Sequence, residues 1–446
     1  MNHFTEKPVK SGFIMMAIPI ILSLFTQQLH LLVSTIIVGR YLGVDELAAV
    51  GNATSIIAVF LIISGGLEMG CEIILGKYMG KKQYDKIISY IYGILIFSII
   101  TAVVLIALAV LSRYQLFEWM NIDSALWNLT SDYMMIYCLS FIFIFIFDIS
   151  RAVLISMGDA KTTFIVILFS SFFNIGLSLL FINVLHWGIS GAALATLFTQ
   201  MVGMTITLVM VQKRLKKLSV QKESVQFKSF NVHELISVSC PLMVQQGVAT
   251  VSALLLQVFI NPYGSEVISG YIAVTKVITL IIIVFIGFGQ TLSVFTATNA
   301  GAGNIERVRE GYRFCLQAVL TYSIFIITIN YFFADQIMAL FIDIELYPAA
   351  AAFGETYIKC SFFMLLLYGL KSTNESLLRG YAKMKSFLFS NLSDLFIRVA
   401  MTALLIPIFD LNSFWIAYTL GIIISLTISS ILLRRTQMST SMYRGA

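Results

Sequence analysis

Residues Ile87–Leu111 read IISYIYGILIFSIITAVVLIALAVL, twenty-five positions without a charge. A bilayer-spanning helix needs about 20 apolar residues. A spanning barrel strand would be about 10 residues of alternating polarity. This run is long and does not alternate. Backbone groups in lipid must pair within their own segment, so the run is read as a membrane helix. The same reading applies outward in both directions. Runs of this kind fall at 13–38, 48–76, 87–111, 133–157, 163–185, 189–211, 235–260, 268–297, 314–333, 355–378, 386–408 and 414–433. The first is too long for the apolar core of a signal peptide.

Composition agrees. The chain is 59% hydrophobic and 12% charged over 446 residues, with a mean hydropathy of +0.90. Soluble domains carry about 25% charged residues, so a water-soluble enzyme is excluded. A net charge of +6 then speaks to topology rather than to nucleic acid. Of the 29 Lys and Arg, the outer loops hold only Arg40 and Arg113 if the N-terminus is cytoplasmic. Arg151, Lys276, Lys359, Lys371 and Arg398 lie within helices or at their ends, and the remainder fall on inner segments. One misplaced helix would scramble that asymmetry. Both termini are expected in the cytoplasm.

The five cysteines all lie in apolar runs without CxxC spacing and read as small core residues. No HExxH, GxSxG, EExxxR or Walker pattern occurs, so neither a membrane enzyme nor ATP-driven transport is expected.

The strongly basic stretch Gln212–Lys228 divides the helices six and six. A step of 221 residues takes Gly43 to Gly264, Asp45 to Glu266, Gly66 to Gly287, Gly80 to Gly301 and Asp85 to Glu306; a step of 224 takes Lys161 to Lys385. Six helices per half give both halves one orientation, hence a parallel repeat, a transporter signature. The expected fold is an all-α membrane protein of twelve transmembrane helices in two six-helix bundles, 1–212 and 233–446, joined by a basic cytoplasmic linker at 213–232.

Several motifs then fall into a known order. They are Pro19, Ile37-Val38-Gly39-Arg40-Tyr41-Leu42-Gly43, Leu47-Ala48-Ala49-Val50-Gly51, Met157-Gly158-Asp159-Ala160-Lys161-Thr162 and Gly188 through Thr196 in the first half. In the second half they are Pro241, Asn261 with Gly264, Asn299-Ala300-Gly301-Ala302-Gly303 followed by Glu306-Arg307-Val308, and Leu378-Arg379-Gly380. This ordered set resembles the multidrug and toxic compound extrusion (MATE) family of the MOP flippase superfamily, over nearly the whole chain. The resemblance implies two six-helix bundles around a central cavity. It implies a monomeric plasma-membrane antiporter that exports amphiphilic or cationic small molecules by rocking-bundle alternating access. It also implies no cofactor beyond a coupling proton or sodium ion, and no partners beyond substrate and lipid. Two rivals stand beside it: a lipid or lipid-linked sugar flippase of the same superfamily, and a receptor-like relative that lost ion coupling and does not transport.

The sequence departs from the family at the expected ion site. Ser34 stands where many relatives have Asp in the first helix, and Ser178 where they have Asp four residues after Asn174. Asn174 and Thr196 remain. The cluster Ser34, Asn174, Ser178 and Thr196 offers hydroxyl and amide oxygens but no negative charge. It is either a pocket of structural hydroxyls or a site that binds substrate.

Embedded charges are the other candidates, since each costs a few kcal/mol on insertion scales. Asp148 with Arg151, Lys371 with Glu375, and Asp394 with Arg398 are spaced to neutralise each other on one helix face. Glu68 and Glu72 are four apart and alike in sign. Two carboxylates in a low dielectric do not both ionise easily, which suits a proton carrier. Glu68, Glu72, Asp148 and Glu375 are therefore candidate proton-coupling carboxylates. Against this, Glu68 lies about 20 residues, or roughly 30 Å, from the outer end of its helix, so both glutamates could be solvated at a cytoplasmic vestibule. Gln27, Gln28, Gln245, Gln246 and Gln257 lie in the repeat-related first and seventh helices and are read as cavity lining or as helix–helix glue. Lys276 either snorkels to the interface or meets an anionic substrate or a lipid headgroup.

Overall fold

The computed structural model describes residues 3–217, 230–341 and 346–442. Among them there is no strand, and twelve long helices carry almost the whole chain. These are α1 Val9–Tyr41, α2 Val44–Gly80, α3 Tyr84–Trp119, α4 (in two pieces, Trp127–Leu139 and Phe141–Ser156), α5 Ala160–Leu179 and α6 Gly188–Lys216. The second half has α7 Val232–Ile260, α8 Gly264–Gly301, α9 Ile305–Phe332, α10 Pro348–Gly380, α11 Met384–Phe409 and α12 Ser413–Met442. Every expected apolar run therefore lies on one of these helices. α2, with 37 residues, extends about 55 Å at 1.5 Å per residue. That exceeds the hydrocarbon core of about 30 Å.

α4 and α10 are not straight. The two pieces of α4 meet at 44°, and Ala350–Ser361 meets Phe363–Gly380 at 50°. In α4 the break is at Ser140, whose hydroxyl donates to the Tyr137 carbonyl at 2.5 Å. Such back-bonding competes with the helical ladder and bends it. A π-turn, Leu180–Val184, continues α5.

The repeat is written in the backbone as well as in the side chains. Positive φ occurs at Gly43 and Gly264 after the first helix of each half, and at Lys82 and Gly303 after the second. It recurs at Gly158 and Ala382 after the fourth, and at His186 and Asp410 after the fifth. These pairs keep the steps of 221 and 224 residues seen in the sequence. At Gly43 φ is 115°, a conformation that only glycine adopts without strain.

By packing, the chain divides into two compact units: residues 1–7 with 14–243, and residues 8–13 with 244–446. The division point falls inside α7. In the first unit, Gly66 and Gly70 of α2 lie so close to Met243 and Ser239 of α7 that a Cβ at either glycine would collide. Small residues four apart permit such approach in membrane helices. In the second unit, the Phe13 ring meets Phe288, Phe295 and Phe314 at centroid distances of 6.4, 6.1 and 5.6 Å. The expected linker 213–232 lies for the most part outside the described residues. All five cysteines are free; Cys71, Cys138 and Cys315 are buried as expected, whereas Cys240 is exposed and Cys360 half-buried.

Candidate functional site

On α2, Ser64, Glu68 and Glu72 are spaced by fours and share one helix face. The second piece of α4 brings Asp148 and Arg151. Arg151 forms an ion pair with Glu68 across the two helices and lies 3.5 Å from Asp148 on its own helix. Ser64 donates a hydrogen bond of 2.7 Å to Asp148. The guanidinium also lies over the Phe147 ring, 5.3 Å from its centroid.

This arrangement corrects the vestibule reading of Glu68 and Glu72. The Glu72 residue is 2% exposed, and the Glu68 side chain is 12% exposed. Glu72 is thus buried, and Glu68 is half-buried and tied to Arg151. The base that Glu68 lacks along its own helix comes from α4, a partner that spacing within one helix cannot reveal. The count of charges matters. Arg151 serves two carboxylates, and Glu72 adds a third one turn away on α2.

A cavity of about 130 Å³ opens beside this cluster. Its lining includes Gln27 and His30 of α1, Asp148 and Arg151 of α4, Ser170 of α5 and Thr199 of α6. Among the described residues, His30 Nδ1, Ser170 Oγ and Arg151 Nε are buried without a hydrogen-bond partner. Buried polar atoms are nearly always paired, so these three leave donors and acceptors available at the cavity. Thr199 connects the cavity to the predicted pocket. Asn174 Nδ2 donates to the Thr199 hydroxyl at 3.3 Å, and Ser178 donates to Asn174 Oδ1 at 3.3 Å. Asn174 and Ser178 are both buried. Thr196 instead donates to the Ala192 carbonyl of its own helix. Ser34 is half-buried on α1 and makes no hydrogen bond to this group among the described residues.

The second half has its own network. Lys371 of α10 pairs with Asp394 of α11, and lies 3.7 Å from Glu375. Arg398 pairs with Asp394 at 3.0 Å and stacks 3.6 Å from the Tyr418 ring centroid. Glu375 accepts hydrogen bonds from Ser390 at 2.9 Å and Ser425 at 3.3 Å. Two cations face two anions. The predicted i,i+3 and i,i+4 pairs form in both halves, each joined by a cross-helix pair that the sequence did not disclose. An apolar pocket of about 540 Å³ lies between α7 and α11, lined by Val248, Val251, Ser252, Leu255, Leu395 and Phe396 among others.

Of the five glutamines singled out from sequence, Gln27 lines the polar cavity, together with Gln200 of α6. Gln28, Gln245 and Gln246 are half-buried on their helices. Gln257 donates to Asn261 at 2.9 Å. Lys276 is exposed on α8 and, among the described residues, pairs with no carboxylate. His30, Ser170 and Thr199 were not singled out from sequence. A signal existed for His30: it lies three residues after Gln27 and four before Ser34, on one face of α1. Among the described residues no group of three or more His, Cys, Asp and Glu is gathered for a metal ion.

Comparison with known proteins places this geometry. The probable multidrug resistance protein YpnP of Bacillus subtilis is 26% identical over 403 residues, covering 90% of this chain and 89% of its own. The probable multidrug resistance protein YoeA of the same organism is 24% identical over 332 residues, 73% of this chain and 72% of its own. A crystal structure of a mutant of the Vibrio cholerae MATE transporter VcmN superposes with a TM-score of 0.89 at 17% identity, covering 98% of this chain and 99% of that one. The MatE family model matches twice, over residues 19–180 and again over 241–404. Two matches, one in each half and together spanning most of the sequence, leave a single assignment: the chain belongs to the MatE family of membrane transporters, and it has the family's twelve-helix, two-bundle fold.

Proposed function

We propose that this chain is a secondary exporter of amphiphilic or cationic small molecules, driven by protons, and that Glu68, Asp148 and Arg151 hold the coupling proton. The observation that carries the reading is one guanidinium shared by two half-buried carboxylates beside a polar cavity. Embedded carboxylates that pair with one another or with a cation mark proton relays in membrane transporters. A proton on Asp148 or Glu68 removes the surplus charge and frees Arg151 to pair with the other carboxylate alone. That exchange alters what α2 and α4 offer each other, and two such states are what alternating access needs. Glu72, buried one turn further along α2, belongs to the same group. In this reading Asn174, Ser178, Thr196 and Ser34 keep the family's pocket as hydroxyl and amide contacts, while the charge has moved to α2 and α4.

The protein then works as a monomer in the plasma membrane with both termini cytoplasmic. The charge asymmetry of the loops supports that orientation. The two bundles rock against each other in alternating access, and no cofactor is needed beyond the coupling ion. A second reading, lipid or lipid-linked sugar flipping, draws on exposed Lys276, which suits an anionic headgroup.

Cationic-dye uptake into inverted vesicles tests the first reading under a pH gradient, a sodium gradient and neither. Flux that requires the pH gradient and is lost in Asp148→Asn or Glu68→Gln supports it. Flux driven by sodium would move the coupling site to the neutral oxygens around Asn174. No gradient-dependent flux across a wide dye panel overturns the exporter.

A further inference from the structure

We propose that His30 is a proton-relay residue, the side chain through which protons cross the first-half cavity to Asp148. The proposal rests on the proton-coupling reading above and adds a route to it. His30 lies on α1, outside the ion-paired cluster, and lines the same cavity as Asp148. Its Nδ1 is buried and has no hydrogen-bond partner among the described residues. An imidazole nitrogen that no protein group satisfies, on the wall of a cavity, is placed to hydrogen-bond to water there. Imidazole is the side chain whose ordinary titration falls nearest neutral pH, and it has two nitrogens, so a proton can arrive on one and leave from the other.

The surroundings restrict the route. Asp148 and Arg151 of α4 are the charged residues lining the cavity; α5 adds Ser170 and Ser171, α6 adds Thr199 and Gln200, and α1 itself adds Gln27. None of these last five titrates near neutral pH. Arg151 does not release its proton, and it is held by Glu68 of α2. Asp148 is thus the acceptor that faces the cavity. Ser170 Oγ, also buried and unpartnered, can accept one proton while donating its own. The cavity has room for a few water molecules. The transfer balances without a co-reactant. One N–H bond forms on the imidazole, another breaks, and the proton ends on the Asp148 carboxylate; the reverse sequence returns it.

The test uses purified full-length protein in proteoliposomes with an imposed pH gradient, a panel of cationic dyes and an internal pH indicator. Asp148→Asn reports on the underlying coupling and His30→Asn on the relay. Asparagine keeps a hydrogen-bonding amide near Nδ1 but does not take up or release a proton near neutral pH. His30→Gln, whose amide reaches toward Nε2, is the second variant should the first be unstable. A general acid–base group contributes about 100-fold or more. His30→Asn is expected to slow coupled flux at least ~10-fold, to flatten its dependence on pH near neutrality, and to recover flux when imidazole is added. Dye binding should stay as in wild type. Asp148→Asn should not respond to imidazole. Wild-type rates and pH profile in His30→Asn, with Asp148→Asn inactive, overturn the relay alone. Slow flux with an unchanged pH profile and no imidazole response makes His30 structural and also overturns it. Coupled flux surviving in Asp148→Asn, or no dye moved by wild type, overturns the underlying reading and the relay together.

Discussion

The two halves of this chain share a backbone plan and differ in how they bury charge. In the first half, two carboxylates on α2 and α4, Glu68 and Asp148, share one arginine, next to a cavity of about 130 Å³ with polar walls. In the second half, Lys371 and Arg398 balance Glu375 and Asp394, and the pocket between α7 and α11 is apolar. The contrast holds at matched positions. The step that takes Pro19 to Pro241 takes His30 to Ser252, which lines the apolar pocket. The step of 224 takes Arg151 to Glu375 and Ser170 to Asp394. In the second-half network the ion pairs are balanced in charge, two cations to two anions. In the first-half network one cation faces two anions beside a cavity. The difference teaches that a duplicated fold can keep its joints while its two copies bury charge differently; on the proposed function, the first copy carries the coupling.

Substitutions can break this contrast. The largest effect is expected from Glu68→Gln combined with Asp148→Asn, which removes the surplus charge. Proton-driven dye efflux should fall by about 100-fold or more, with dye binding retained. Lys371→Met should act on stability instead. It leaves Asp394 to Arg398 alone and Glu375 to two serine hydroxyls. Losing one member of a buried ionic group costs about 3–5 kcal/mol, to be read as a lower unfolding temperature in detergent. Thr199→Val removes the hydrogen bond from Asn174 at about 1 kcal/mol. It should slow transport a few-fold without changing which ion drives it. Ser34→Ala, which alters no hydrogen bond to the Asn174 group, should be the mildest and leave flux near wild type. A strong loss of coupling in Ser34→Ala would return the ion site to the position where many relatives have aspartate.

Much of the fold was legible because lipid imposes a simple grammar. Runs such as Ile87–Leu111 can only be helices there, and basic residues report which loops are inner. The steps of 221 and 224 residues, found from Gly43, Gly80 and Lys161, reappear as matched positive-φ joints. The bend at Ser140 was not legible, since one serine in an apolar run predicts nothing by itself. The site was harder. Spacing along a helix yields Asp148 with Arg151, but not the reach of Arg151 to Glu68 on another helix. Burial of Glu72 depends on that same packing. His30 was on the page as a neighbour of Gln27, yet a lone histidine in an apolar helix points nowhere until the cavity is seen.

The most direct test of the central claim is proton release on substrate binding by the purified protein, followed with a pH indicator in weakly buffered detergent solution as a cationic dye is added. Wild type and Glu375→Gln should both release protons, and Asp148→Asn should release none. Undiminished release from Asp148→Asn, or loss of release in Glu375→Gln, would contradict the assignment of coupling to the first half.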